Sequence, residues 1–295
     1  MYDIIIVGAG PAGLTAALYG LRAKKKVLIF EAKCYGGQIV NAPLVENYPG
    51  IESISGFDYS TNLYNQVTNL GGEIKFETVL KIEEGNIVKT KKGEYTAKTI
   101  ILATGADKRK LNIEREEEFI GRGISYCATC DGNFYKNKIV AVVGGGNSAL
   151  EDTLYLSNIA SKVYLIHRRN SFRGEQYIKE LKQKDNIEFI YNSNVVKLYG
   201  DNNLEGIDIK DNYDTISNLK VDGLFIAVGQ EPKNQMFSDI VELDEEGYIK
   251  TNDGVHTSKE KIYVAGDARA KDLRQLVTAT SDGAIAATVA IKEMQ

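Results

Sequence analysis

Two cysteines three residues apart, Cys127 and Cys130, stand directly before an acid, Asp131, in the stretch SYCATCDGNF. Such a pair serves in proteins as a metal clasp, as a structural bridge or as a disulfide that is opened and closed. A zinc site needs about four ligands, and only Cys34 and two histidines remain in the chain of 295 residues. We therefore predict no metal site, which leaves the bridge and the redox pair.

Composition narrows the class of protein. Apolar residues make up 43% of the chain and charged residues 26%, which is typical of a soluble globular protein of two domains at this length. A net charge of −4 argues against a nucleic-acid partner. The uncharged segment Ile4–Leu21 holds four glycines and a proline, so we predict buried interior there and no membrane partner. The low cysteine content favours the reducing cytoplasm.

The pattern around the first glycines predicts a dinucleotide site. The β-branched run Ile4–Val7 leads into Gly8-x-Gly10-x-x-Gly13 and then into a helix of small residues. In this arrangement the glycines allow a tight turn, a close approach of the backbone to a pyrophosphate and close packing of helix on strand. A second strand, Lys26–Phe30, ends in Glu31, where a carboxylate holds ribose hydroxyls.

The same pattern returns 136 residues later. The strand Ile139–Val143 precedes Gly144-x-Gly146-x-x-Ala149, and the same shift carries Glu31 onto His167. Arg168, Arg169 and Arg173 follow this histidine in HRRNSFR. A carboxylate would repel a 2′-phosphate, whereas arginines match it, so we predict NADPH at the second site.

The first site is then predicted to hold a flavin. Near the C-terminus the strand Ile262–Ala265 leads to Gly266 and Asp267, and a helix is predicted from Arg274 onward. Asp267 is placed to bind a ribityl hydroxyl, and the helix would direct its N-terminus at the flavin ring. The candidate FAD ligands are Gly8, Gly10, Pro11, Ala12, Gly13, Glu31, Gly36, Gly37, Gln38, Asn47, Ala103, Thr104, Gly105, Gly266, Asp267, Arg274, Gln275 and Leu276. The candidate NADPH ligands are Gly144, Gly146, Asn147, Ser148, Ala149, His167, Arg168, Arg169 and Arg173.

The order of these motifs predicts the domain plan. The stretches TAKTIILATGA and KVDGLFIAVGQ each resemble the last strand and turn of a dinucleotide domain. We therefore expect an α/β fold of two three-layer Rossmann-like domains. An NADPH domain, residues 114–242, is inserted into an FAD domain formed by residues 1–113 and 243–295.

The cysteine pair falls on the NADPH domain, because Cys130 precedes Gly144 by 14 residues. Beside a flavin, a Cys-x-x-Cys pair is interpreted as a redox-active dithiol, and the small ring that it closes favours reduction. The third cysteine, Cys34, is interpreted as a structural thiol.

The chain resembles the low-molecular-weight bacterial thioredoxin reductases over nearly its whole length. The stretches GRGISYCATCDG, GGGNSALED, HRRNSFR and GDARAKDLRQLVTA are similar to that family's disulfide, NADPH and flavin signatures, in the same order. The resemblance implies a homodimeric FAD enzyme that passes electrons from NADPH to thioredoxin or a thioredoxin-like protein. It also implies that Cys130 faces the flavin, that Cys127 attacks the partner's disulfide and that Asp131 handles the proton. A rotation of the NADPH domain would alternate nicotinamide and disulfide at the flavin.

Alternative classes each lack one feature of this chain. A ferredoxin-fed relative would lack the arginines, a flavodoxin or ferredoxin reductase would lack the cysteines, and a flavin-binding module without activity would need neither. The large disulfide reductases place their cysteines near the first nucleotide motif. The chain departs from the family at Asn133 and Phe134, where two aromatic residues are common, and in the link KLNIEREEEF, which lacks the usual proline and glycine.

Overall fold

The computed structural model describes residues 1–42, 44–172, 175–252 and 254–294 of the chain. These residues divide into two compact units. Unit 1 is formed by Met1–Asp107 together with Glu231–Gln295, and unit 2 is formed by Lys108–Gln230. Unit 1 is therefore discontinuous in the chain.

Each unit begins with alternating strands and helices and continues with a run of consecutive strands. The first part of unit 1 contains β1 (Tyr2–Val7), α1 (Pro11–Arg22), β2 (Val27–Glu31), α2 (Gly56–Asn69), β3 (Glu73–Phe76), β4 (Val79–Glu83), β5 (Ile87–Thr90), β6 (Glu94–Leu102) and β7 (Ala106–Lys108). Unit 2 continues with α3 (Glu116–Phe119), β8 (Ile124–Ser125), α4 (Ala128–Asp131), β9 (Ile139–Gly144), α5 (Asn147–Ser157), β10 (Lys162–Ile166), α6 (Glu175–Leu181), β11 (Ile187–Ile190), β12 (Ser193–Tyr199), β13 (Gly206–Asp211), β14 (Ile216–Lys220) and β15 (Gly223–Ala227), and β16 (Gln230–Pro232) leads back into unit 1. The chain ends with β17 (Ile262–Val264) and α7 (Leu276–Glu293).

The sheet of unit 1 has a parallel half and an antiparallel half. The strand order is β3-β2-β1-β6-β5-β4, and β17 pairs in parallel with the C-terminal end of β6. Strands β1 and β2 are buried on both faces. On one face Ile4, Ile6 and Ile29 pack in a core with α1, α2 and α7. On the other face Ile5, Leu28 and Phe30 pack in a second core with β4, β5 and β17. Helix α7 packs closely on α1: a Cβ atom at Gly283 would stand 2.2 Å from the carbonyl oxygen of Ala12.

Unit 2 repeats this plan. Its parallel sheet has the order β11-β10-β9-β15-β8, and β12, β13 and β14 form a separate antiparallel sheet. The register of the repeat is kept, since Ile4 pairs with Val27 in unit 1 and Val140 pairs with Val163 in unit 2. The predicted α/β class with two Rossmann-like units is confirmed.

Two crossings join the units, and their strands β7 and β16 pair with each other. Leu111 and Ile113 pack against the core of unit 2, which contains Phe119, whereas Phe237 and Val241 lie in a core of unit 1. The ranges expected from sequence, 1–113 for the first domain and 114–242 for the second, place each of these pairs in the other domain. The compact units instead change at residues 107/108 and 230/231. The assignment of FAD to unit 1 and of NADPH to unit 2 stays a prediction.

Candidate active site

The first glycine loop is shaped by close backbone contacts. Gly8 has a φ of +110°, and a Cβ atom there would stand 2.3 Å from the carbonyl oxygen of Ala103. A Cβ atom at Gly13 would stand 1.9 Å from the oxygen of Gly8, so the first turn of α1 packs directly against the loop. By contrast, a Cβ atom at Gly10 would meet only the Cα atom of Gly37, at 3.9 Å. That open position at the start of α1 fits a pyrophosphate held by free backbone N–H groups.

Glu31 is held at the edge of this loop. Its Oε2 atom accepts a hydrogen bond from the N–H of Ala9 at 2.9 Å, and its Oε1 atom accepts one from the N–H of Lys33 at 2.8 Å. Each carboxylate oxygen has a further lone pair to offer. A carboxylate fixed in this way fits the ribose hydroxyls of an adenine dinucleotide.

Two further candidate FAD residues of unit 1, Asn47 and Gln275, meet at the start of α7. The amide of Asn47 donates to Oε1 of Gln275 at 3.2 Å, and Gln275 caps the helix that begins at Leu276, two residues after the predicted start. A Cβ atom at Gly266 would stand 2.8 Å from that of Ala12, so the turn that carries Asp267 reaches the start of α1. The remaining candidates of unit 1 lie at the start of α1, after β2, after β6 and before α7: Pro11, Gly36, Gln38, Thr104, Gly105 and Arg274.

Two features of unit 1 test whether these residues fit a flavin nucleotide. The Nε atom of Arg274 is buried and has no hydrogen-bond partner among the described residues, and its guanidinium lies 3.9 Å from the ring centroid of Tyr248. The glycine loop leaves its phosphate-facing position open at Gly10. A ligand that brings hydrogen-bond acceptors and a diphosphate matches both, so the residues present fit FAD.

Two buried polar groups that sequence reasoning missed hold this site together. Asn234 is fully buried; its Oδ1 atom accepts from the hydroxyl of Thr104 at 2.8 Å, and its amide donates to the carbonyl oxygens of Gly247 and Ala268. Asp282 accepts from the N–H of Gly266 at 3.1 Å, and Lys271 and Arg269 donate to it. Their partners are distant in sequence, so spacing gave no signal for either.

The second glycine loop has the same division of roles. A Cβ atom at Gly144 would stand 2.3 Å from the carbonyl oxygen of Ala227, whereas one at Gly146 would have nothing within 4 Å. Gly146, Asn147 and Ser148 are exposed where α5 begins, and Ala149 is buried. The free N–H groups of this helix start fit the diphosphate of a second dinucleotide.

The side chain of His167 packs against this loop at Gly145. Its ring lies where a side chain at Gly145 would be, 1.9 Å from that Cβ position, and it stacks on Phe172 with ring centroids 4.9 Å apart. Burial lowers the pKa of His167, so the neutral ring predominates at pH 7. Arg168 and Arg169 are exposed just after the end of β10, as binding of a 2′-phosphate would require. Arg173 lies outside the described residues.

The cysteine pair forms a disulfide between Cys127 and Cys130, with 5.3 Å between their Cα atoms. Cys127 precedes the short helix α4, and both cysteines are partly exposed. The pKa of Asp131 is raised above its ordinary value, because burial outweighs the opposing effect of a hydrogen bond of 2.6 Å that Ser125 donates to it. Cys34 is a free and exposed thiol. Among the described residues no cluster of three metal-ligating side chains occurs.

The helix under the disulfide adds a second buried carboxyl. Asp152 on α5 accepts a hydrogen bond from the N–H of Ala128, and burial raises the pKa of Asp152 to about 6. A Cβ atom at Gly132 would stand 2.9 Å from the ring of Tyr155, so the chain after Asp131 rests directly on α5. Sequence reasoning missed Asp152 because an acid within an amphipathic helix is usually a solvated residue.

Comparison with known proteins identifies the class. Residues 2–283 match the family model of the pyridine nucleotide-disulphide oxidoreductases. The chain is 44% identical to the thioredoxin reductase of Listeria monocytogenes, covering 100% of this chain and 94% of that protein, and 43% identical to that of Bacillus subtilis, covering 97% and 93%. A solved thioredoxin reductase from Streptococcus pyogenes superposes with a TM-score of 0.94 at 39% identity, covering 99% of this chain and 97% of that one.

The chain therefore belongs to the pyridine nucleotide-disulphide oxidoreductases. Within them it groups with the bacterial-type thioredoxin reductases, which are flavoprotein disulfide reductases that use FAD and NADPH. The resemblance inferred from sequence is confirmed, as are the class of reaction and the two cofactors. The part played by each candidate residue stays a prediction.

Proposed function

We propose that this protein reduces the disulfide of thioredoxin, or of a thioredoxin-like protein, through its Cys127–Cys130 pair. The observation that carries the proposal is a partly exposed disulfide on the same unit as the second glycine loop and the arginines that follow β10. In this proposal unit 1 binds FAD and unit 2 binds NADPH. FAD held by the candidate residues of unit 1 would supply the transfer of two electrons from NADPH to the disulfide.

The residues of the pair divide the remaining work. The bridge takes up two electrons and two protons and opens to two thiols. Cys130 faces the flavin, and Cys127, which precedes α4 and is partly exposed, attacks the partner. Asp131 carries the proton between thiol and leaving group, and its partial burial supports this because a carboxyl with a raised pKa exchanges protons nearer to neutral pH.

The proposal includes a homodimer in the cytoplasm. Exposed apolar side chains on the packed helices α1 and α7, Tyr19, Val277 and Ile285, support a subunit contact on unit 1. Among the described residues, no helix is long and apolar enough to cross a bilayer. Light scattering of the purified protein gives the subunit number directly.

The decisive test separates flavin reduction from partner reduction. In Cys127→Ser, anaerobic NADPH should still bleach the flavin, because that step precedes the thiol step, while reduction of oxidised bacterial thioredoxin should be abolished. Cys34→Ser is the matched control, since it removes the one free thiol among the described residues, and it should behave like the parent. Thioredoxin reduction by Cys127→Ser at the parent's rate would contradict the proposal.

A further inference from the structure

Ser125 lies where strand β8 delivers the chain to the disulfide. The strand pairs in parallel with β15, with Ser125 opposite Phe225, and Ser125 is 4% exposed. Its hydroxyl therefore projects from a regular sheet position rather than from a loop. A side chain held in this way keeps its position as the neighbouring disulfide opens and closes.

The hydroxyl of Ser125 joins the acid to the backbone of the outer cysteine. It accepts a hydrogen bond from the N–H of Cys127 at 3.1 Å. It has one proton to donate and two acceptors within reach, Oδ2 of Asp131 at 2.6 Å and the carbonyl oxygen of Cys127 at 3.3 Å. The shorter bond, to a carboxylate, is the stronger of the two, so the proton points at Asp131.

We infer that Ser125 is a positioning residue for the proton transfer that accompanies thiol–disulfide exchange. The inference rests on the proposed function, in which Asp131 carries the proton. A thiol of the reduced pair gives its proton to the carboxylate of Asp131, and its sulfur attacks the partner's disulfide. One S–S bond forms and one breaks, and the departing sulfur leaves with the electron pair and takes the proton from Asp131. Ser125 holds the carboxylate for this transfer and favours its ionised form.

Other titratable groups surround Asp131 and must be separated from it. Tyr135, in the turn after α4, has a pKa raised to about 12 by burial and by the charges of Asp131 and Asp222. From α5, Tyr155 and Asp152 face the same short helix, and Lys108 lies near Asp152. Tyr135 does not titrate between pH 5 and 9, so Asp152 is the group whose titration would overlap.

The test is the pH profile of thioredoxin reduction with oxidised bacterial thioredoxin as the probe. The carboxylate is the proton acceptor, so activity falls when Asp131 is protonated. Ser125→Ala removes a hydrogen bond that lowers the pKa of Asp131, and the acid limb of the profile should therefore move to higher pH. We expect a loss of about tenfold at the acid end, the equivalent of one hydrogen bond to a charged group. Bleaching of the flavin by NADPH should stay at the parent's rate.

Four further variants, two of them also combined with Ser125→Ala, keep the result specific. Ser125→Thr retains the hydroxyl and should restore the parent's profile. Ser193→Ala removes another serine that is 4% exposed, on β12 of the same unit, and should leave the profile unmoved. The shift should persist in Asp152→Asn, which removes the second buried carboxyl. In Asp131→Asn the profile should lose its acid limb, and adding Ser125→Ala should cost nothing more.

The outcomes distinguish the inference from the function beneath it. A parent-like profile in Ser125→Ala, or an equal loss on adding Ser125→Ala to Asp131→Asn, overturns the inference while the role of Asp131 stands. A parent-like profile in Asp131→Asn itself overturns both the proton role of Asp131 and the inference.

Discussion

At the scale of single residues, we predict that the choice between NADPH and NADH depends on Arg168 and Arg169. Each would donate charge-assisted hydrogen bonds to a 2′-phosphate, and such a bond contributes about 1.5–3 kcal/mol. We expect Arg168→Ala combined with Arg169→Ala to raise KM for NADPH by more than about tenfold and to leave KM for NADH nearly unchanged. Steady-state kinetics with both cofactors measure this.

The control for the arginine pair is Lys162→Ala. Lys162 is a cation at the opposite end of the same strand, β10, where it pairs with Glu188 at 2.7 Å. Its loss should leave the preference for NADPH intact. An undiminished preference in the arginine double variant would show that the 2′-phosphate is read elsewhere.

Residue types indicate the candidate site where the chemistry is local. Short segments of about 25 residues are enough to recognise a glycine loop together with its acid or its arginines, because turn, helix start and charged residue follow one another in sequence. The cysteine pair is recognised from its own spacing. Asn234 and Ser125 could not be predicted in this way. An amide that binds Thr104 across 130 residues has no local signal, and a buried serine in a strand resembles any other until its acceptor is placed.

At the scale of elements, the structure separates two roles of glycine in the second loop. Gly146 has open space around it and an extended backbone, with a φ of −94°. We therefore expect Gly146→Ala to keep the parent's melting temperature while it weakens NADPH binding, since the added methyl group enters the diphosphate position. Calorimetric titration of NADPH and thermal unfolding measure the two effects independently.

Gly144→Ala is the contrasting variant in the same loop. Its Cβ atom would stand 2.3 Å from the oxygen of Ala227 and 2.7 Å from the Cβ atom of Ala149, so it should destabilise unit 2 by about 1–3 kcal/mol or more. If Gly146→Ala bound NADPH like the parent, the loop would not approach the diphosphate.

The repeated strand order of the two sheets was largely predictable from sequence, whereas the last strand added to each sheet was not. Matching glycine loops 136 residues apart predict two similar sheets, and both sheets place their first strand between the second strand and a later one. The edge strand beside the later one, however, is β17 from the end of the chain in unit 1 and β8 from the start of the insert in unit 2. Two residues of β8 are too few for a periodic pattern, so tertiary pairing decides this strand.

At the scale of the whole molecule, the distribution of groups over the chain sets a requirement. The disulfide, the second glycine loop and the arginines after β10 belong to unit 2, whereas the candidate FAD residues belong to unit 1. In the proposed reaction the nicotinamide and the disulfide must each reach the same flavin. Rotation of unit 2 about the two crossings would satisfy both requirements.

A pair of linkers tests this rotation. Two cysteines, one introduced into each unit of a Cys34→Ser parent, are joined by a short or a long thioether linker while the disulfide lies at the flavin. The short linker should block bleaching of the flavin by NADPH because the nicotinamide cannot replace the disulfide, yet flavin reduced by light should still open the Cys127–Cys130 bond. The long linker permits the rotation and should restore NADPH-dependent turnover. Full NADPH-dependent activity in the short-linked protein would mean that one arrangement of the units serves both steps.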